Sequence, residues 1–222
     1  MRLHAILAAC MVAHSPQPRD LLALPHEPIG AWMPSSWKVR AVRGRRAPQA
    51  TVLAADGEAF LRLAGQAQAA FFVHEFPSPI AADGSRLTIS WRVMKAPEGA
   101  DMRQDSADDS PLRIFVVFQT TRRFGRTPRT LFYSSGRAEP AAFSRRSAKS
   151  ADLHVIRITE SGNDSTWTTI SVEPGADYAR VWGGVVPCVV AVGLMQDTDA
   201  TGSAAIADLR HLLWRSRGES TR

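Results

Sequence analysis

Leu87-Thr88-Ile89-Ser90-Trp91-Arg92-Val93 decides the fold class, because apolar Leu87, Ile89, Trp91 and Val93 alternate strictly with polar Thr88, Ser90 and Arg92. A period of two puts each set on its own face of an extended chain, so the stretch reads as a strand buried on one side and wet on the other. Two further runs, Ile114-Phe115-Val116-Val117-Phe118 and Val189-Val190-Ala191-Val192, are apolar at every position. They read as central strands covered on both faces.

Around these runs, turn residues cut the chain into short segments of strand-like composition at 37–42, 51–54, 71–76, 86–94, 112–119, 130–133, 154–159, 167–172, 188–195 and 204–214. Residues 57–70 have a helical composition, but Glu58-Ala59-Phe60-Leu61-Arg62-Leu63 alternates, which predicts two strands with a turn at Gly65. Pro174 to Gly183 opens on proline and closes on glycine, the signature of a short helix. Many short strands with no strand–helix alternation predict an all-β fold: an antiparallel two-sheet sandwich of jelly-roll type with one short helix.

A chain of 222 residues suits one domain. Folding at that size buries roughly 70% of the extended surface and needs no disulfide staples. Cys10 and Cys188 are the only cysteines, so a disulfide framework is not expected, and Cys188 inside its apolar run reads as an inert buried thiol. Prolines at 16, 18, 25, 28 and 34 block regular helix. The predicted organisation is a signal-like, proline-rich lead-in over 1–28, one β-sandwich over 29–215 and a basic tail over 216–222. Arg2 ahead of Ala5-Ile6-Leu7-Ala8-Ala9-Cys10-Met11-Val12-Ala13 has the form of a secretory signal, which predicts a periplasmic or secreted protein. Leu7-Ala8-Ala9-Cys10 further resembles a lipobox, and a start codon upstream would make the protein lipid-anchored. No apolar run reaches the ~20 residues needed to span a bilayer as a helix.

The net charge of +6 is gathered into basic clusters, among them Lys38 to Arg46, Arg122 to Arg129, Arg145 to Lys149 and Arg210 to Arg222. Such clusters attract anionic polymers. They come with no nucleic-acid fold motif and no interleaved aromatic residues, so the expected partner is a glycan or an anionic envelope polymer, not a specific nucleic acid. Gly-x-Ser-x-Gly, phosphate-cradling glycine loops and His or Cys pairs at zinc spacing are all absent.

Two acidic loops adjoin the strand-like runs. Asp101, Asp105, Asp108 and Asp109 precede Leu112-Arg113-Ile114, and Asp197-Thr198-Asp199-Ala200-Thr201-Gly202 follows Gly193-Leu194-Met195. Spacing of two puts Asp197, Asp199 and Thr201 on one side of an extended segment, where hard oxygen ligands joined by Asp108 or Asp109 suit Ca²⁺. A second reading stays open, in which Asp197 and Asp199 cap backbone amides and Asp109 pairs with Arg113. Trp167 and Tyr178, near turns, offer flat faces on which a pyranose could stack, whereas Trp91 and Trp214 sit in alternating runs and read as core. The candidate ligand-binding residues are therefore Asp108, Asp109, Arg113, Trp167 and Tyr178, and the candidate metal ligands Asp197, Asp199 and Thr201.

Trp91-Arg92-Val93, Pro97-Glu98-Gly99-Ala100-Asp101, Asp108-Asp109 ahead of Arg113, Asp177-Tyr178 and Met195-Gln196-Asp197-Thr198-Asp199-Ala200-Thr201-Gly202 together resemble the bacterial family catalogued as domain of unknown function 3047. The resemblance runs from Ile29 to Trp214. It implies an exported, mostly β domain, similar in outline to jelly-roll carbohydrate-binding modules and without an established activity. The expected function is a non-enzymatic carbohydrate or envelope-polymer binding module; the alternative is a glycan-active hydrolase or lyase using acidic loop residues.

Overall fold

A computed structural model of the chain describes residues 18–119, 128–136, 139–140, 143–159 and 165–217. The signal-like segment, Arg122, Arg123, Arg126 and Glu160 lie outside the described residues. In chain order the strands are β1 (Arg19–Asp20), β2 (Lys38–Ala41), β3 (Gln49–Ala55), β4 (Glu58–Gln66), β5 (Ala69–Ile80), β6 (Arg86–Lys95), β7 (Ser110–Phe118), β8 (Thr130–Ser135), β9 (Ser144–Arg146), β10 (Leu153–Thr159), β11 (Thr168–Val172), β12 (Val189–Asp197) and β13 (Ala204–Arg215). One α-helix, α1 (Pro174–Trp182), lies between β11 and β12 and ends at Gly183, whose φ of 68° suits a residue without a Cβ.

The strands form two sheets. The first runs β11-β6-β13-β4-β3, with β1 also paired to β13; the second runs β2-β5-β12-β7-β8-β10-β9. Leu87, Ile89 and Trp91 of β6 point inward with Leu61, Leu63, Leu209, Leu212 and Trp214, and meet Phe72, Ile114, Val116, Leu131, Tyr133, Val192 and Leu194 of the second sheet in one core. The fully apolar runs lie at the centre of the second sheet as β7 and β12. Their other face carries Phe115, Ala191 and Met195, packed with Val73, Phe132 and Val155 beneath Met102 of the loop before β7. Burial on both faces is what their unbroken apolar pattern required. Gly193 fits this packing: a Cβ there would stand 2.0 Å from the Phe115 ring.

Four features differ from the sequence reading. β8 and β10 pair in parallel, while the other described strand pairs are antiparallel, because β9, antiparallel to β10 on its other side, runs back along the sheet before β10 begins. The β4–β5 turn falls at Ala67, with φ 54°, while Gly65 lies within β4. There glycine answers crowding, since a Cβ would come 2.7 Å from Pro48 and 2.9 Å from Gln196. Leu21, Leu22 and Leu24 of the proline-rich lead-in are buried in the core, and β1 beside them extends the first sheet. Cys188 is buried as expected but disulfide-bonded, not a thiol.

Candidate functional site

The two acidic loops meet at one rim of the sandwich, where β12 ends opposite the start of β7: Asp197 is in register with Ser110. Asp109, 2% exposed, accepts hydrogen bonds from the backbone N–H of Ala200 (3.1 Å) and Thr201 (2.8 Å) and from the Thr201 hydroxyl (2.7 Å). It thus clasps the turn that carries the chain from one sheet to the other. Asp108 pairs with Arg113 at 2.6 Å and Arg145 at 3.2 Å, so Asp108, not Asp109, is the partner of Arg113. Asp199 accepts from Arg45 Nε at 2.8 Å. Asp101 instead bonds Arg103 and Gln104 and is held well below the usual carboxylate range chiefly by the Arg103 side chain.

Asp197 differs from its neighbours. It is 3% exposed, its Oδ1 has no hydrogen-bond partner, and its Oδ2 stands 3.7 Å from Arg113 Nη1. Burial pushes its carboxyl up to about 6; Asp199 and Asp109 push the same way, against Arg113 and Lys149. One oxygen each from Asp109, Asp197 and Asp199 lies within 4.8 Å of the other two. Thr201, a candidate ligand in the sequence, donates its hydroxyl proton to Asp109, one of the three carboxylates in this group.

Trp167 lies elsewhere, on the outer face of the first sheet. It immediately precedes the edge strand β11, yet its ring meets Phe60 of β4 edge-on at 6.0 Å. Strands lie ~4.8 Å apart, so that contact requires the indole to extend over β6 and β13. The guanidiniums of Arg92 and Arg210 lie 4.5 and 4.7 Å from the ring centroid. Nearby, Asp208 is fully buried and accepts from Arg62 Nε (2.7 Å) and Nη2 (2.9 Å) on one neighbouring strand and from Arg92 Nε (2.8 Å) on the other. Arg210 bonds Ser90 at 2.9 Å and Glu58 at 2.8 Å. Three guanidiniums against two carboxylates leave this face cationic.

Of this constellation the sequence reading named only Trp167 as a candidate ligand-binding residue, with Arg210 placed in a basic cluster. The signal for the rest was present in the phase of β4, where Phe60 and Arg62 share the outward set against inward Leu61 and Leu63. An aromatic residue in the wet phase of a strand needs a cover, and here Trp167 and two arginines supply it.

Tyr178 belongs to neither group. It is 4% exposed on α1, packs on Phe118 at 4.7 Å and Trp182 at 5.0 Å, and accepts a hydrogen bond from Arg129 at 2.6 Å. Phe118 and Ser110 close opposite ends of β7. A strand of that length spans about 26 Å, so Tyr178 sits at the far end from the acidic rim and its ring is occupied by packing.

The family model described as "Protein of unknown function (DUF3047)" matches residues 35–213. No curated protein matches the sequence. Among solved structures the chain is similar to the xyloglucanase domain of NopAA, a type three effector from Sinorhizobium fredii, solved in complex with cellobiose: TM-score 0.47, 10% identity, covering 86% of this chain and 97% of that one. It is similar also to a family 11 carbohydrate-binding module from Clostridium thermocellum in complex with a β-1,3-1,4-mixed-linked tetrasaccharide (TM-score 0.45, 6% identity, 82% and 89% covered). A third is Trichoderma harzianum endoglucanase 3 from family GH12 (TM-score 0.44, 9% identity, 82% and 98% covered).

Proposed function

The chain belongs to the DUF3047 family of proteins of unknown function, and from that premise we propose that it is an exported, non-enzymatic module that binds an anionic glycan or envelope polymer. The observation that carries this reading is the half-buried Trp167 ring lying against the Arg92 and Arg210 guanidiniums on the outer face of the first sheet. A half-buried indole braced by neighbouring side chains on the outside of a sheet offers a pyranose an apolar surface. The surplus guanidinium charge beside it favours sugars that carry carboxylates, with which arginine makes paired hydrogen bonds. This face replaces the acidic rim as the proposed glycan surface, because at the rim Asp108 and Asp199 are paired with arginines, Asp109 holds the 200–201 turn and Asp197 is buried.

The alternative, a hydrolase or lyase, needs carboxylates free to act beside the bound sugar. Around Trp167 the carboxylates of this cluster are Asp208 and Glu58, and both are engaged by arginine. That engagement favours binding without cleavage.

The test is affinity electrophoresis of the protein through polygalacturonate and through a neutral glucan, with wild type and Trp167→Ala run side by side. The expected outcome is retardation by the uronate polymer that weakens with salt, is lost in Trp167→Ala, and leaves no new reducing ends. Equal mobility in every gel, or equal retardation of the variant, would refute the proposal. Release of reducing ends would favour the hydrolase.

A further inference from the structure

From the rim geometry we infer that Asp109, Asp197 and Asp199 form a binding site for a divalent cation of the calcium type, fastening the start of β7 to the turn between β12 and β13. Three facts converge on it. One oxygen from each side chain lies within 4.8 Å of the others. Oxygens sharing one Ca²⁺ at ~2.4 Å lie at most ~4.8 Å apart, so the triad has the reach of a shared ion. Asp197 supplies the second, independent fact: it is 3% exposed and its Oδ1 meets no donor. Buried carboxylate oxygens are ordinarily bonded, and an orphan among other carboxylates is the arrangement a cation resolves.

The third fact is how the surrounding cations are spent. Arg113 is drawn to Asp108 at 2.6 Å and stands 3.7 Å from Asp197 Oδ2, leaving Oδ1 to face the shortfall. Arg145 divides itself between Asp105 and Asp108, and Arg45 reaches Asp199 from the solvent side. Asp109 is held in place by the three donors of the 200–201 turn, and each carboxylate oxygen has lone pairs for a hydrogen bond and a metal together. An all-carboxylate donor set is hard, which selects calcium or magnesium over zinc or copper.

This inference is independent of the glycan reading, because the site lies at the rim and its test contains no sugar. Full-length protein stripped with EDTA is titrated with CaCl₂ by calorimetry and followed by thermal unfolding. Expected are one saturable ion per chain with Kd on the order of 10⁻⁵ to 10⁻³ M, a Tm that climbs with calcium, and loss of both in Asp197→Asn. Glu173→Gln, which removes the partner of Arg86 at the end of β6 opposite the rim, keeps the wild-type response. Terbium competition on the folded wild type gives a second readout should the rim variant fail to fold: calcium must displace it from a single site. Absence of heat and of a Tm shift at millimolar calcium, or the same shift in Asp197→Asn, overturns the inference.

Discussion

Asp208 and Asp197 stand on consecutive strands, both almost wholly removed from water, and the chain treats them in opposite ways. Asp208, on the outer face of the first sheet, receives three hydrogen bonds from two arginines on the strands either side. Asp197, at the rim, receives none at its Oδ1, and Arg113 Nη1 stands 3.7 Å from its Oδ2. Neutralisation inside the chain marks a carboxylate whose work is structural. A carboxylate left short of donors, with two others beside it, marks a place where something from outside the chain completes the arrangement.

The sharpest way to break this contrast is to remove Asp208. Asp208→Ala leaves Arg62 and Arg92 crowded against each other with no counter-charge, and breaking a buried pair from one side costs about 3–5 kcal/mol. Urea unfolding should show the midpoint falling with little change in slope. Replacing the whole group, with Arg62→Met and Arg92→Met alongside Asp208→Leu, should recover most of the loss. A small effect of Asp208→Ala would mean that the arginines find water easily and that the grip is a surface feature.

Asp197→Asn should act in the opposite direction when calcium is withheld. The folded-state carboxyl titrates at about 6, above its ordinary value of 3.8, so between those pH values the folded chain holds a proton that the unfolded chain has lost. Stability of the wild type therefore falls as pH rises through that window and levels off above it. A gap of about two pH units corresponds to about 3 kcal/mol as an upper bound. The asparagine variant lacks that slope and should match or exceed the wild type at pH 7 in EDTA, while falling below it once calcium is added. Parallel pH–stability curves for the two proteins would erase the distinction between Asp197 and Asp208.

How much of this was legible follows from the range of each interaction. Strand identity is local, so the alternation at 87–93 and the unbroken apolar runs predicted β6, β7 and β12 closely. The meeting of the acidic loops was also legible in outline, because each is tethered to the end of a central strand. Partner choice within the rim was not: whether Asp108 or Asp109 takes Arg113 depends on which way the backbone turns between adjacent residues. The Trp167 face was harder still, since it joins β4, β6, β13 and the approach to β11, with Glu58 and Arg210 separated by 152 positions. Gly65 misled for a related reason, its crowding by Pro48 and Gln196 being invisible until the strands are paired.

The smallest effect discriminates most finely between clasp and ligand. Thr201 Oγ1 donates to Asp109 at 2.7 Å and accepts from the Ser203 N–H at 3.2 Å, while the amides of Ala200 and Thr201 hold Asp109 independently. Thr201→Val removes the hydroxyl and keeps the shape, so the cost should be near 1 kcal/mol, one bond among several to the same carboxylate. Hydrogen exchange should speed up at Ala200, Thr201 and Ser203 and stay unchanged along β6. Calcium affinity should fall only slightly, because the hydroxyl positions Asp109 without itself binding the ion. An affinity loss as deep as that of Asp197→Asn would instead make Thr201 a ligand in its own right, and the rim a four-donor site.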